Sequence, residues 1–323
     1  MSLVLFRAAL LLNAVTNCGR GGLYARDGKA QAVSKLRRYR NCGWRKLCLP
    51  LSLFCFLPAA SLLAQDRSES GAAEMEIPFV LYLDHMIVVE GRIGPLTHLR
   101  FTLDTGATHS IVDRKIADAL KLERRPGSVF NLDDFAAIEW ADFPTIAVGP
   151  IEVKNGSLMV GDLAHVDALI GMDLLRLNKR LRINYNSGQV VFTPVAPSER
   201  QTLPKGDPAC VTVDVPVQGK PLHLIVDTGI EGILLYRDRV FRRNPKLRLE
   251  NETQQSRADG RLLPGRATLR NIRLPNGEFS ARVFLIAKAP ENALPNIDGY
   301  LATTALQARE LDFDFSEHKF SWK

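Results

Sequence analysis

A tripeptide written twice most constrains what this chain can become. Leu99-Arg100-Phe101-Thr102-Leu103 runs into Asp104-Thr105-Gly106, and Leu222-His223-Leu224-Ile225-Val226 runs into Asp227-Thr228-Gly229, 123 residues later. Each copy is a β-prone run that delivers one carboxylate into a tight Thr-Gly turn. Each turn then leads to a second apolar run, Ile111-Val112 or Ile233-Leu234-Leu235. One Asp-Thr-Gly arises by chance in roughly one chain in ten or twenty of this length. Two, each closing such a run, are far rarer.

The surroundings of the two turns repeat as well. Val166-Asp167-Ala168-Leu169-Ile170-Gly171-Met172-Asp173-Leu174-Leu175 is answered by Ile297-Asp298-Gly299-Tyr300-Leu301-Ala302-Thr303-Thr304-Ala305-Leu306. The alternating hairpin over 181–192 is answered by Leu311–Phe315 and Lys319–Trp322. From Ile77 onward, short β-type runs are separated by turn signals, which predicts an all-β protein. Ile116, Ala117, Leu120 and Leu122 add one or two helical turns. A period of 123 residues is too long for a solenoid, so the repeat reads as a domain duplication. We therefore expect a first lobe over 77–195, a proline-bearing linker over 196–209 and a second lobe over 210–323. Residues 126–143 mix Pro126-Gly127, Asp133-Asp134 and the aromatics Phe135, Trp140 and Phe143, a pattern suited to a hairpin with aromatic tips. The polar interval 251–261 holds the same place in the second half.

Ahead of the duplication stands a leader, 1–64. It carries ten of the 42 Lys/Arg and one of the 35 Asp/Glu, so the formal charge of +7 belongs to it. The rest holds 32 basic and 34 acidic residues, without the basic field that nucleic acid requires. Lys35 to Lys46 form a basic flank, 47–63 is apolar and uncharged, and Ala64 precedes a polar stretch, as in a secretory signal. Cleavage near Ala64 and retention as an N-terminal anchor both put the lobes outside the cytoplasm, periplasmic or secreted. Membrane contact is then expected only through an uncleaved anchor. Four of the five cysteines lie in this leader, leaving Cys210 alone and no internal disulfide in the lobes.

Two lobes related by a pseudo-two-fold axis would bring Asp104 and Asp227 together. Carboxylates in contact resist ionising together and share one proton. The ionised partner can activate a water, while the protonated one polarises a carbonyl and later supplies a leaving amine with its proton. Gly106 and Gly229 permit the turns, and Thr105 and Thr228 can fix them through their hydroxyls.

Asp104-Thr105-Gly106-Ala107-Thr108, together with Ile170-Gly171-Met172-Asp173-Leu174-Leu175, resembles the retropepsin-like aspartic peptidases, and the second half resembles a diverged tandem copy. The resemblance implies two β-barrel lobes with short helices, joined as a pepsin-like pseudo-dimer. It further implies Asp104 and Asp227 as the catalytic pair, a flap hairpin over the substrate and threonines gripping across the axis. Thr105, Gly106, Ala107, Thr228 and Gly229 would support the turns. Where the first turn continues Ala107-Thr108-His109-Ser110, the second continues Ile230-Glu231-Gly232.

The expected function is an exported aspartic endopeptidase acting on peptide or protein substrates, monomeric, with no cofactor. No metal site is expected either, because no histidine pair has ligand spacing. Two rivals remain open. One is a catalytically silent pseudo-protease that binds peptides or a partner protein in the cleft; the other is a homodimer active only through its first lobes.

Overall fold

The computed structural model describes residues 73–130, 135–195, 210–254, 264–274, 277–290 and 294–323. The leader 1–64 with its apolar segment 47–63, the linker 196–209, residues 131–134 of the expected hairpin and residues 255–263 of the polar interval lie outside the described residues. Among the described residues, no helix is long and apolar enough to cross a membrane.

The first half opens with a meander of β1 (Met75–Tyr82), β2 (Met86–Ile93) and β3 (Leu96–Leu103). After the first turn come β4 (Ile111–Asp113) and a short α1 (Arg114–Ala119). Asp113 caps that helix by accepting from the Lys115 amide at 2.9 Å, and it also accepts from the Leu163 amide at 2.8 Å. β5 (Arg124–Phe130) and β6 (Phe135–Val148) form a long hairpin where the aromatic-tipped one is expected. β7 (Ile151–Gly161), β8 (Ala168–Ile170), α2 (Met172–Leu175) and the hairpin of β9 (Asn178–Asn184) with β10 (Gln189–Pro194) complete this half.

The second half repeats the order: β11 (Thr212–Val217), β12 (Lys220–Asp227), β13 (Ile233–Tyr236), α3 (Arg237–Arg243) and β14 (Leu249–Thr253). β15 (Gly265–Leu274), β16 (Gly277–Ile286), β17 (Gly299–Ala302), a 3-10 turn (Thr303–Leu306) and the hairpin β18 (Glu310–Asp314)–β19 (Lys319–Trp322) follow. The architecture is all-β, with helices of seven residues or fewer among the described elements.

Strand register turns the repeat into residue-by-residue equivalence. β8 lies parallel to β3 and antiparallel to β4, with Leu169 opposite both Thr102 and Ile111. β17 lies in the same way between β12 and β13, with Tyr300 opposite Ile225 and Leu234. Ala107 thus corresponds to Ile230, Ser110 to Ile233, Gly171 to Ala302 and Asp173 to Thr304. Phe101, Thr102 and Leu103 are all buried, because this strand is covered on both faces.

The halves do not form separate sheets. β18 pairs antiparallel with β9, so one sheet contains the order β19-β18-β9-β10-β1. Arg182 lies opposite Asp312, Leu181 opposite Phe313 and Ile183 opposite Leu311. Arg182 and Asp312 hold the same place in their own hairpins, so a local two-fold axis passes between them. Period-two alternation puts Leu181, Ile183, Leu311 and Phe313 into the core. Each such burial is worth on the order of 1.5–3 kcal/mol, so the shared sheet helps to join the halves.

A candidate two-aspartate site

Both aspartates end a buried strand and are themselves buried. The Asp104 amide donates to Ile170 O at 2.9 Å, fixing the end of β3 against β8. Asp104 Oδ1 accepts from the Gly106 and Ala107 amides at 2.9 and 3.0 Å, so its own turn aims the carboxylate. Asp227 Oδ1 accepts from the Gly229 amide at 2.8 Å in the same manner.

The two turns are locked together by their threonines. The Thr105 amide donates to Thr228 Oγ1 at 3.1 Å, and the Thr228 amide to Thr105 Oγ1 at 3.2 Å. Each hydroxyl then donates across the axis, Thr105 to Val226 O at 2.9 Å and Thr228 to Leu103 O at 2.7 Å. Valine has a similar shape but no hydroxyl, so it would leave two buried groups without partners at either position.

The gap between the turns admits no side chain at Gly229. A Cβ there would stand 2.5 Å from Asp104 Oδ2 and 2.7 Å from its Cγ. The first carboxylate therefore rests against the backbone of the second turn. Gly171 has a parallel role behind the first turn, where a Cβ would meet the His109 carbonyl carbon and oxygen at 2.7 Å. The Met172 amide uses that closeness to donate to Ala107 O at 2.8 Å.

Behind the first turn lies a polar knot. Ser110 Oγ donates to Asp173 Oδ1 at 2.6 Å and accepts from the Gly171 amide at 2.9 Å, while the Ser110 amide donates to Asp173 Oδ2 at 3.0 Å. Burial pushes the Asp173 carboxyl above its usual range, against the opposing pull of the Ser110 hydrogen bonds and His109. Burial likewise lowers His109, against the attraction of Asp173. Sequence reasoning misses Ser110 and Asp173 as supports, although both stand within the repeated blocks. At the equivalent places the second half has Ile233 and Thr304, with Ala302 in place of Gly171.

His109 contacts the Trp140 ring edge-to-face at 5.9 Å, on β6 of the hairpin, so it faces the hairpin stem instead of pairing with Ser110. Ile230, the bulky residue after the second turn, is buried in the core, and Glu231 is exposed. Cys210 is buried ahead of β11, with Sγ 3.9 Å from Gly106 O. Among the described residues no group of three or more His, Cys, Asp or Glu gathers as a metal ligand set.

The sequence model of the family described as "gag-polyprotein putative aspartyl protease" matches residues 89–177, from β2 through α2. Among solved structures, a retropepsin-like aspartic protease from Rickettsia conorii is 19% identical. That match covers 37% of this chain and 90% of that chain, with a TM-score of 0.30. No curated protein sequence matches the chain.

Proposed function

We propose that this chain, whose first lobe is retropepsin-like, is an aspartic endopeptidase with one site shared between its halves. The observation that carries the reading is the reciprocal pair of threonine hydrogen bonds, which sets the Asp104 and Asp227 turns face to face. Buried carboxylates on facing turns share one proton. The ionised aspartate takes a proton from a water as its oxygen attacks the peptide carbonyl carbon, while the protonated aspartate donates to the carbonyl oxygen. As the C–N bond breaks, a proton passes to the departing nitrogen, and the products are a carboxylic acid and an amine. Thr105, Gly106, Ala107, Thr228 and Gly229 position the two carboxylates and do not themselves react. The β5–β6 hairpin is the flap in this reading.

The leader reading puts the enzyme outside the cytoplasm, with membrane contact only through an uncleaved anchor. The shared sheet supports a monomer, since β9 and β18 of one chain already satisfy each other. A silent peptide-binding pseudo-protease is the second reading, favoured by the loss of the Ser110–Asp173 knot from the second half. The test is cleavage of an unstructured protein by the purified chain from acid to neutral pH, with a pepstatin-type inhibitor. Inhibitable cleavage supports the protease. Saturable peptide binding with no cleavage at any pH supports the silent reading.

A further inference from the structure

The two hairpins that meet on the axis are copies in shape and opposites in charge. β9 presents Arg180 and Arg182 on the face of the shared sheet away from the core, and β18 presents Asp312 and Asp314. Arg180 grips both carboxylate oxygens of Asp312, with Nε to Oδ1 at 2.6 Å, and Asp312 is mostly buried at 13% side-chain exposure. Arg182, directly opposite Asp312, reaches the other way to Glu74 beside β1 at 2.5 Å. The arginines of β9 thus lie between acidic groups on both sides.

Pairing of two first lobes through the same strands and register would set Arg182 against Arg182, and Arg180 diagonally against the partner's Arg182. Pairing of two second lobes would set Asp312 against Asp312 and Glu310 against Asp314. Like charges facing across a ladder destabilise it, while opposite charges support it, and repulsion in the wrong pairing is a recognised source of specificity. Shape alone does not separate these options, because all three bury the same kind of apolar face.

We infer that the β9–β18 contact is a charge-coded recognition surface that fits a first lobe to a second lobe and rejects either lobe paired with its own kind. Its partner is normally the second lobe of the same chain, and it equally fits that lobe from a second copy. The inference rests on the reading of the chain as a pseudo-dimer with a shared site, because the site is incomplete until first and second lobes meet.

The test uses full chains reversed in charge on β9 alone (Arg180→Asp with Arg182→Asp) or on β18 alone (Asp312→Arg with Asp314→Arg), the single variants, or on both strands, the double variant. Both positions of a strand are reversed because Arg180 faces Asp314 and Arg182 faces Asp312. Thermal unfolding and native mass are the readouts. Each single variant should lose about 5 °C in Tm, and the double variant should regain at least half of that loss. Mixed and annealed, the two single variants should form a species of twice the monomer mass. In it, the two reversed strands meet with opposite charges across one interface, and an original β9–β18 pair closes the other. Neither single variant alone should form that species. Single variants as stable as the parent, a double variant losing the sum of the two, or equal dimer formation by one variant alone would each overturn the inference. Neither readout requires catalysis, so failure here and failure of the protease reading are separate results.

Discussion

The first aspartate turn is backed by a buried polar knot that the second lacks, although both sit in the same strand frame. Behind Asp104, the Ser110 hydroxyl donates to Asp173, the two side chains take up the Gly171 and Ser110 amides, and Gly171 lets two backbones touch. Behind Asp227 the same positions hold Ile233, Thr304 and Ala302, with Ile230 in the core. Both halves keep the threonine grip across the axis, the glycine of each turn and, within each half, an aspartate bonded to a neighbouring strand. That aspartate is Asp167, accepting from the Arg100 amide at 2.7 Å, or Asp298, accepting from the His223 amide at 2.9 Å. The difference teaches that the grip across the axis and the strand frame of each half are common to both copies, while the support behind the turn differs between them.

Substitutions can break this comparison, beginning with the largest expected effect. Gly229→Ala should lower the catalytic rate by about 100-fold while the fold persists, because its methyl displaces the Asp104 carboxylate. Steady-state kinetics alongside Tm would read it. Gly171→Ala should cost about 1–3 kcal/mol by overpacking the His109 carbonyl, whereas Ala302→Gly at the equivalent position should cost only about 0.5–1 kcal/mol. Denaturant unfolding compares them. Ser110→Ala, which strips a buried amide and a carboxylate of a partner, should cost about 1–3 kcal/mol, against about 0.5–1.5 kcal/mol for Ile233→Val.

The smallest effect is one of pH. Asp173 is held above its usual value of 3.8, so the stability tied to its protonation is complete below 3.8 and is lost as pH rises through the raised value. His109 is held below 6.5, so its contribution is present above 6.5 and lost as pH falls through the lowered value. Measured from acid to neutral, the stability gap between Asp173→Asn and the parent should therefore move in favour of Asn as pH rises. A gap that does not change with pH would remove the charge from the account of the first turn.

Much of this arrangement is legible in the residues because backbone periodicity and turn chemistry are local. The runs ending at Asp104 and Asp227, the Gly171 and Ala302 blocks and the paired hairpins all carry their own signals. The pairing of β9 with β18 is not local, and nothing in either hairpin alone says that its partner is its own copy. The knot of Ser110 and Asp173 joins residues 63 apart, and the spacing between them carries no period to reveal it. Strand lengths are hidden for a related reason: Pro144 within β6 and Asn155-Gly156 within β7 are local turn signals, yet both strands run through them.

The central claim, one site made by two unequal halves, is tested most directly by peptide cleavage with Asp104→Asn and Asp227→Asn in parallel, each confirmed folded by its Tm. The account expects both to lose activity by a factor of roughly a thousand or more, to a similar residual level. Activity that survives Asp227→Asn but not Asp104→Asn, in a species of twice the monomer mass, would contradict it and assign catalysis to paired first lobes.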